Sequence, residues 1–388
     1  MSESRILERQ QAIARYRAGE SATSICVSLG RSREWLYKWV KRQQGTGEGW
    51  ATEHSRRPQR SPARIASNVE AAILTTRRSL MGRELFHGAQ AIAWELAETG
   101  VLAPSVRTVG RVLERHGLVT RRRGPYLAKG TVYPALRAER PGHVHQSDFV
   151  GPCFLSGPVR FYSLHSIDVA TGRCGVQQVP NRSSQPTLDA FWAIWSRLGL
   201  PEHQQIDNEM VFYGSRAHPR GLGPLIRLCL AMGIEPWFIP PAEPWRNGVV
   251  EKFNDRWQQF GPLRRTINGR TAVDRANGVF EARHNAHYRY SKLGGRTPDA
   301  VLAASGVPLR FPEQPDAPRH PLPKPTHGRY HLIRFVRQDG RIDLFGEQFR
   351  VPPEALYAYV RATIDVGRQR LRIVLDGRVI DQHRFLMR

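Results

Sequence analysis

Apolar residues recur at helical spacing from the start of the chain, at Ile6, Leu7, Ile13, Ala14 and Tyr16. Gly19 and Ser21 punctuate that stretch, with Ser21 placed to cap a second helix and Gly30 to make the next turn. Ser32 can cap a third helix over residues 32–42, which turns Trp35, Leu36, Trp39 and Val40 inward. Arg31, Arg33, Lys38, Lys41 and Arg42 then point outward. A basic last helix in this setting is a helix-turn-helix pattern suited to the major groove of DNA, although a plain three-helix bundle fits the same letters. The pattern predicts a helix-turn-helix over residues 1–43 and a basic Gly/Pro-bearing linker over 44–64, carrying Arg56, Arg57, Arg60 and Arg64. A second helix-turn-helix unit is expected over 65–124, with helices at 68–79, 88–99 and 105–116. Val106, Val109, Val112 and Leu113 form the apolar stripe of its last helix, and Arg107, Arg111 and Arg115 lie on the other side. The run Arg121, Arg122 and Arg123 reads as a phosphate contact or, more plainly, as a solvated charge run.

The pattern then changes period. Residues 143–150, 161–169 and 173–179 read as strands, followed by a helix at 186–198 bearing Leu188, Phe191, Trp192 and Trp195 and ended by Gly199. A short strand ends at Asp207. A helix at 225–232, a strand at 234–239 and a helix from near Trp245 through Glu251 complete the series. Strands first, then alternating helix and strand, imply an α/β mixed sheet with helices on both faces over residues 140–305. A proline-rich spacer is expected over 306–328. From residue 329 short alternating segments with Asp339-Gly340 and Asp376-Gly377 turns predict five or six strands closed into a small β-barrel through 388, touching DNA or a neighbouring subunit. The fold class expected is therefore multidomain: all-α units, a mixed sheet, and a barrel.

Composition narrows the function. The 388 residues exceed one ordinary domain, and 40% hydrophobic content is enough to build cores. No apolar run reaches a membrane span, and the N-terminal residues lack a signal-peptide core. Cys26, Cys153, Cys174 and Cys229 form no CxxC pair, which argues against a disulfide framework or zinc finger and for a reducing, cytoplasmic setting. The 58 basic residues outnumber 34 acidic ones, a formal net charge of +24. Residues 1–140 hold 25 basic and 12 acidic side chains, and residues 319–388 hold 14 and 7, so the excess lies in the flanks. Double-stranded DNA is the natural partner of such flanks, because phosphate neutralisation releases counterions. No basic amphipathic helix of membrane type stands out.

Three segments carry the chemistry: His145-Gln-Ser-Asp-Phe-Val-Gly-Pro152, Gln205-Ile-Asp-Asn208 and Pro244-Trp-Arg-Asn-Gly-Val-Val-Glu-Lys-Phe-Asn254. In order and spacing they resemble the signatures of the integrase core shared by retroviral integrases, bacterial insertion-sequence transposases and the phage Mu transposase. The stretch Tyr288-Arg-Tyr-Ser-Lys-Leu-Gly-Gly-Arg-Thr-Pro298 is similar to the family's sequence after the last helix, and residues 329–388 to the Mu-type C-terminal barrel. The resemblance implies an RNase H-like fold with Asp148 and Asp207 at adjacent strand ends and Glu251 on a facing helix. It implies a DDE transposase whose three carboxylates hold Mg2+ or Mn2+, two ions bridged by Asp148 with Asp207 and Glu251 outside. Two ions roughly 3.5–4 Å apart stabilise both the attacking and the leaving oxygen of a phosphodiester, and hard oxygen ligands suit Mg2+.

Around the triad, Asn254 is expected to contact substrate phosphate, Asn208 to orient the strand end or attacking group, and Gly248 to leave room for DNA. Asp168 and Asp255 are the competing carboxylates. Glu209 stands after Asp207-Asn208 where the family usually has glycine, and the strand before Asp207 is polar. The expected reaction is hydrolysis at an element end, freeing a 3′-OH that then attacks target DNA. It calls for a synaptic homo-oligomer in a bacterial, nucleoid-associated setting, with an accessory ATPase as a further candidate partner. A catalytically silent DNA-binding regulator and an RNase H-like nuclease are the rival readings.

Overall fold

The computed structural model describes residues 3–45, 49–53, 65–100, 103–119, 132–155, 160–218, 220–264, 267 and 269–387. Arg56, Arg57, Arg60 and Arg64 of the expected linker, and Arg121, Arg122 and Arg123, lie outside these residues. The chain divides into two compact units, Met1–Ser67 and Asn68–Arg388.

In the first unit, α1 (Glu3–Arg17), α2 (Ala22–Leu29) and α3 (Arg33–Gly45) form where the capping residues allow. The Ser21 hydroxyl accepts a hydrogen bond from the Ser24 amide, and Gly30, at φ +61°, closes α2 in the left-handed region. Ser32 accepts in the same way from Trp35 N–H. Ala12, Ile25, Cys26 and Leu36 make the small core. Trp39 is buried under the guanidinium of Arg9, which lies 4.0 Å from the ring and donates to Ala51 O. Arg31, Arg33, Lys38 and Lys41 are exposed, and Arg42 is half-buried. Arg31 pairs with Glu8 at 2.9 Å.

The second unit opens on α4 (Ser67–Gly82), α5 (Ala89–Glu98) and α6 (Val106–Arg115). Val109, Val112 and Leu113 of α6 are buried, whereas Val106 is exposed. Arg107 and Arg111 face solvent, and Arg115 pairs with Glu70. The block docks on the sheet domain: Phe86 packs 4.8 Å from Tyr288, whose hydroxyl donates to Glu84 O, and Glu84 pairs with Arg283.

The sheet domain contains β1 (Val144–Phe154), β2 (Arg160–Asp168), β3 (Cys174–Val179), α7 (Ser184–Leu198), β4 (His203–Ile206), α8 (Met210–Tyr213), α9 (Pro224–Ala231) and β5 (Glu235–Phe238). A 3-10 turn, Pro244–Asn247, leads into α10 (Gly248–Phe260), then α11 (Arg270–His287) and α12 (Pro298–Ser305). Strands β6 (Arg329–Phe335), β7 (Arg341–Leu344), β8 (Glu347–Arg350), β9 (Tyr359–Asp365), β10 (Arg370–Leu375) and β11 (Arg378–Arg384) follow. One sheet runs in the order β11-β10-β9-β6-β5-β4-β1-β2-β3. Strands β1, β2 and β3 pair antiparallel, and β4 and β5 lie parallel to β1.

Side-chain alternation decides what each face carries. On β2, Tyr162 and Leu164 join the core under α7 and α9, while Phe161 and Ile167 join the core under α10 and α11. Gly175 of β3 lets α7 approach: a Cβ there would stand 2.7 Å from Ile194 Cγ2. Mixed sheet and two helical faces agree with the sequence.

The C-terminal barrel does not. Among the described residues there is no closed barrel. Strand β6 instead adds parallel to β5, and β9, β10 and β11 extend the same sheet antiparallel, with β7 and β8 a separate hairpin. The physical reason is that β5 would otherwise present an unpaired edge. Adding β6 satisfies that edge, and Leu332, Val360, Ala362, Ile364, Leu371 and Ile373 enter the core shared with α7 and α9. The proline-rich segment lies against those helices: Trp192 donates to Gln314 O, and Arg227 to Leu322 O.

Candidate active site at the ends of the central strands

Asp148 is the fifth of the eleven residues of β1, not at a strand end as expected, and stands opposite His165 of β2. Even-numbered residues of β1 face α10, so Gln146, Asp148 and Val150 act on one helix by different means. Gln146 Oε1 accepts from the amides of Val249 and Val250, at 3.0 and 3.2 Å, and so caps α10 at its first turn. Val150 enters the apolar core with Val250, Phe253 and Trp257. Asp148 receives a hydrogen bond from Asn254 Nδ2 at 2.8 Å. The strand carrying one acid is thereby tied at three levels to the helix carrying Glu251.

The bond to Asp148 fixes a proton chain behind it. With Nδ2 of Asn254 donating, its Oδ1 accepts from His165 Nδ1–H at 2.8 Å. His165 Nε2 is then bare and accepts from the Ser163 hydroxyl at 2.9 Å. Ser163 and His165 are fully buried, and burial lowers His165 to about 4, so the ring is neutral. Asn254, expected at substrate phosphate, has its amide committed to Asp148 and His165.

Asp207 follows β4 directly. Odd-numbered residues of β4 face the α10 side: Gln205 donates to Arg246 O and to Asn247 Oδ1. The polar character of β4 is thus structural, because Gln204, fully buried, donates to His145 O and Ser147 Oγ. Asp207 Oδ1 accepts from the Glu209 amide, and Glu209 pairs with Arg182 at 2.5 Å. Asn208 is built in between strands, donating to Ile239 O and accepting from the buried Arg334 of β6. The C-terminal strands therefore reach the residue next to Asp207.

Burial, then the nearby anions Asp207 and Glu209, push the Asp148 carboxyl up to about 7. Burial also raises Asp207 and, with Asp207 beside it, Glu209. Glu251 is raised by burial and by Asp255. An open cavity of about 410 Å3 is lined by Asp148, Gly248, Glu251, Lys252, Asn254 and Asp255. A Cβ at Gly248 would meet open space. Asp148 and Glu251 share this cavity, and Asp207 acts electrostatically on Asp148; carboxylate oxygens are donors of the kind hard divalent cations take.

The acids do not close into a tight ligand set. Among the described residues, the group of three or more His, Cys, Asp and Glu whose ligand atoms all lie within 4.8 Å of one another is His203, Glu235 and His331. The rival acids are otherwise engaged. Asp168 accepts from the amides of Gly142, Ala170 and Thr171, and Asp255 is an exposed partner of Lys252. Gln146, Ser163, His165, Gln205 and Arg334 did not emerge from sequence reasoning as site residues. Only their polarity inside strand patterns marked them.

Beside the acids, a larger cavity of about 660 Å3 is lined by Trp245, Arg246, Arg337, Arg341, Gln348 and Tyr359, among others. Trp245 is 57% exposed.

A family model described as a winged helix-turn helix matches residues 9–71. Similar solved structures include the HTLV-2 integrase catalytic core domain in complex with magnesium, at 19% identity over 43% of this chain and 99% of that one, with a TM-score of 0.31. The simian T-cell lymphotropic virus intasome, in complex with a PP2A regulatory subunit, matches at 14% identity over 80% of this chain and 99% of that one, with a TM-score of 0.36. The BIV integrase catalytic core domain matches at 18% identity over 42% of this chain and 95% of that one, with a TM-score of 0.31. The winged helix-turn helix match runs from within α1 through α3 to the start of α4. No helix among the described residues is long and apolar enough to cross a membrane.

Proposed function

We propose that this chain is a DDE-type DNA transposase that binds element ends through its helical N-terminal units and cuts and joins DNA strands at Asp148, Asp207 and Glu251. The carrying observation is the neighbourhood of Asp148. This half-buried acid is pushed up to about 7 by burial and by Asp207 and Glu209, and it shares an open cavity with Glu251. Asp148, Asp207 and Glu251 would hold Mg2+ or Mn2+, two ions by the resemblance, which when bound stabilise charge on the attacking and leaving oxygens of a phosphodiester.

The protein's own contribution is position. Asn254, backed by neutral His165 and Ser163, holds one oxygen of Asp148 and leaves the other for the site. Gln146 fixes the first turn of α10, and with it the level of Glu251 against β1. Lys252 and Arg182 put positive charge at the margin of the acids, where a DNA phosphate would lie. Exposed Trp245 and the Arg337 and Arg341 side chains suit a nucleic-acid strand continuing from that cavity. Arg33, Lys38 and Lys41 on α3, and Arg107 and Arg111 on α6, are the proposed duplex contacts, with Arg31 and Arg42 beside them on α3.

The proposed reaction is in-line displacement twice over. Water attacks a phosphodiester phosphorus at an element end, leaving a 3′-OH and a 5′-phosphate, and that 3′-OH then attacks a target phosphorus and expels the target strand's 3′-OH, without a covalent enzyme intermediate. Two ends must be held together, so a homo-oligomer on DNA belongs to the proposal. Neither the fold nor the helix-turn-helix match lends support to an accessory ATPase. The test is release of a 3′-OH from labelled duplexes drawn from DNA flanking the gene. Wild type with Mg2+ should cleave them and Asp207→Asn should not, while both bind the duplex. Binding by wild type without any metal-dependent cleavage would instead identify a silent DNA-binding regulator.

A further inference from the structure

At the opposite end of the central strands stands a second group of ligand-type side chains, with a different donor set. His203 is the first residue of β4 and pairs in register with Glu235, the first residue of β5. His331 of β6 lies in register with Trp237, two residues along β5 on the same face. Asp207 lies four residue steps beyond His203 along β4, or about 13 Å.

The ligand atoms of the three side chains all lie within 4.8 Å of one another. His331 Nε2 stands 2.8 Å from Glu235 Oε2, and His203 Nδ1 stands 3.7 Å from the same oxygen. That second distance is too long for a hydrogen bond, and His203 Nδ1 is a buried nitrogen with no hydrogen-bond partner. The outer contacts orient the set. Thr363 Oγ1 lies 2.9 Å from His331 Nδ1, leaving Nε2 as the atom turned to the centre. Arg329 holds the other carboxylate oxygen, Glu235 Oε1, and so turns Oε2 inward. Second-partner contacts of this kind are what ligating imidazoles and carboxylates use.

We propose that His203, Glu235 and His331 form a three-ligand site for a first-row transition-metal dication, with Zn2+ the best-fitting ion. Two imidazoles and one carboxylate are borderline donors that favour such ions over Mg2+, and solvent can complete the tetrahedron because His203 and Glu235 are only half-buried. The three ligands come from three adjacent strands. The ladder joining β5 to β6 has just two residue pairs, Trp237↔His331 and Phe238↔Leu332. An ion here pins the C-terminal strands to β4 and β5 where the hydrogen-bonded contact is shortest.

The test uses the full chain, stripped with a chelator and titrated with Zn2+, with calorimetry and thermal unfolding as readouts. An Asp148→Asn, Asp207→Asn double variant removes the carboxylate end as a competing site. One Zn2+ should bind per chain and raise the Tm in wild type and in this double variant alike. His203→Gln, at a half-buried position, should weaken binding by more than about 100-fold, and Thr363→Val by about 10–100-fold. Equal Zn2+ binding by His203→Gln and wild type would overturn the proposal. So would the absence of stoichiometric Zn2+ binding by wild type.

Discussion

The two ends of the central strands treat carboxylates in opposite ways. Burial would raise Glu235, but hydrogen bonds from His331 and Arg329 hold it down to about 2. Burial raises Asp148 too, yet Asp207 and Glu209 add repulsion instead of relief, and the carboxyl reaches about 7. One end is a neutralised acid among nitrogen donors. The other is a group of acids in which Arg182 relieves Glu209 and Asp207 only in part and Asp148 has no ion-pair partner among the described residues. Raised carboxyls grouped beside an open cavity are what a cation-binding site would need, and the proposed function gives the acid end that use.

The largest effect expected from this contrast is at the acid end. Asp207→Asn or Glu251→Gln should lower cleavage by at least about 1000-fold, since each removes charge stabilisation worth several kcal/mol. His203→Gln should leave Mg2+-dependent cleavage at the wild-type level. A loss there would merge the two ends into one functional unit and break the comparison. Asn254→Ala should cost about 10–100-fold in rate, by analogy with residues that orient metal ligands. Because Asn254 acts through Asp148, the Mg2+ concentration for half-maximal rate should rise in that variant, which loss of packing alone would not cause.

Between the two ends lies a shared scaffold with its own pH signature. Burial lowers His284 to about 3 and His165 to about 4, against an ordinary 6.5. The unfolded chain therefore takes up protons that the folded chain refuses, and stability is full above about pH 6.5 and falls as the pH drops toward 3. Chemical denaturation at stepped pH should show that slope for wild type, and His284→Gln should flatten it. The smallest expected effect belongs to the first unit. Arg33→Ala or Lys41→Ala should weaken duplex binding modestly and reduce the slope of log K against log salt by about 1.

Much of this architecture was legible because local chemistry and tertiary use coincide. Ser21, Gly30, Ser32 and Ser105 cap or close the helices they punctuate in sequence. The alternation of β1 places Gln146, Asp148 and Val150 on one face before any packing is known. Two features were not legible. Helix α11 buries Asn277, His284 and Asn285 beside Val273 and Phe280, so its inward stripe does not look apolar. Those polar groups are spent on partners distant in sequence: Asn277 on Trp257 Nε1, and Asn285 on both backbone groups of Cys174 at the sheet's edge. The C-terminal strands were recognisable as strands, but alternation and Asp-Gly turns are the same whether strands close on themselves or extend another sheet. Pairing with the edge of β5 decided the outcome. Asn254 marks the same limit within the site, since helical spacing put it near Glu251 but gave no sign that β2 would present His165 to it.

The central claim is that the acid end joins DNA strands. The most direct measurement is a strand-transfer assay with labelled duplexes from the DNA flanking the gene, a target plasmid and Mg2+ or Mn2+, with wild type run beside Glu251→Gln. Joined products that require both wild-type protein and the metal are the predicted result. Joined products of equal yield from Glu251→Gln would contradict the account.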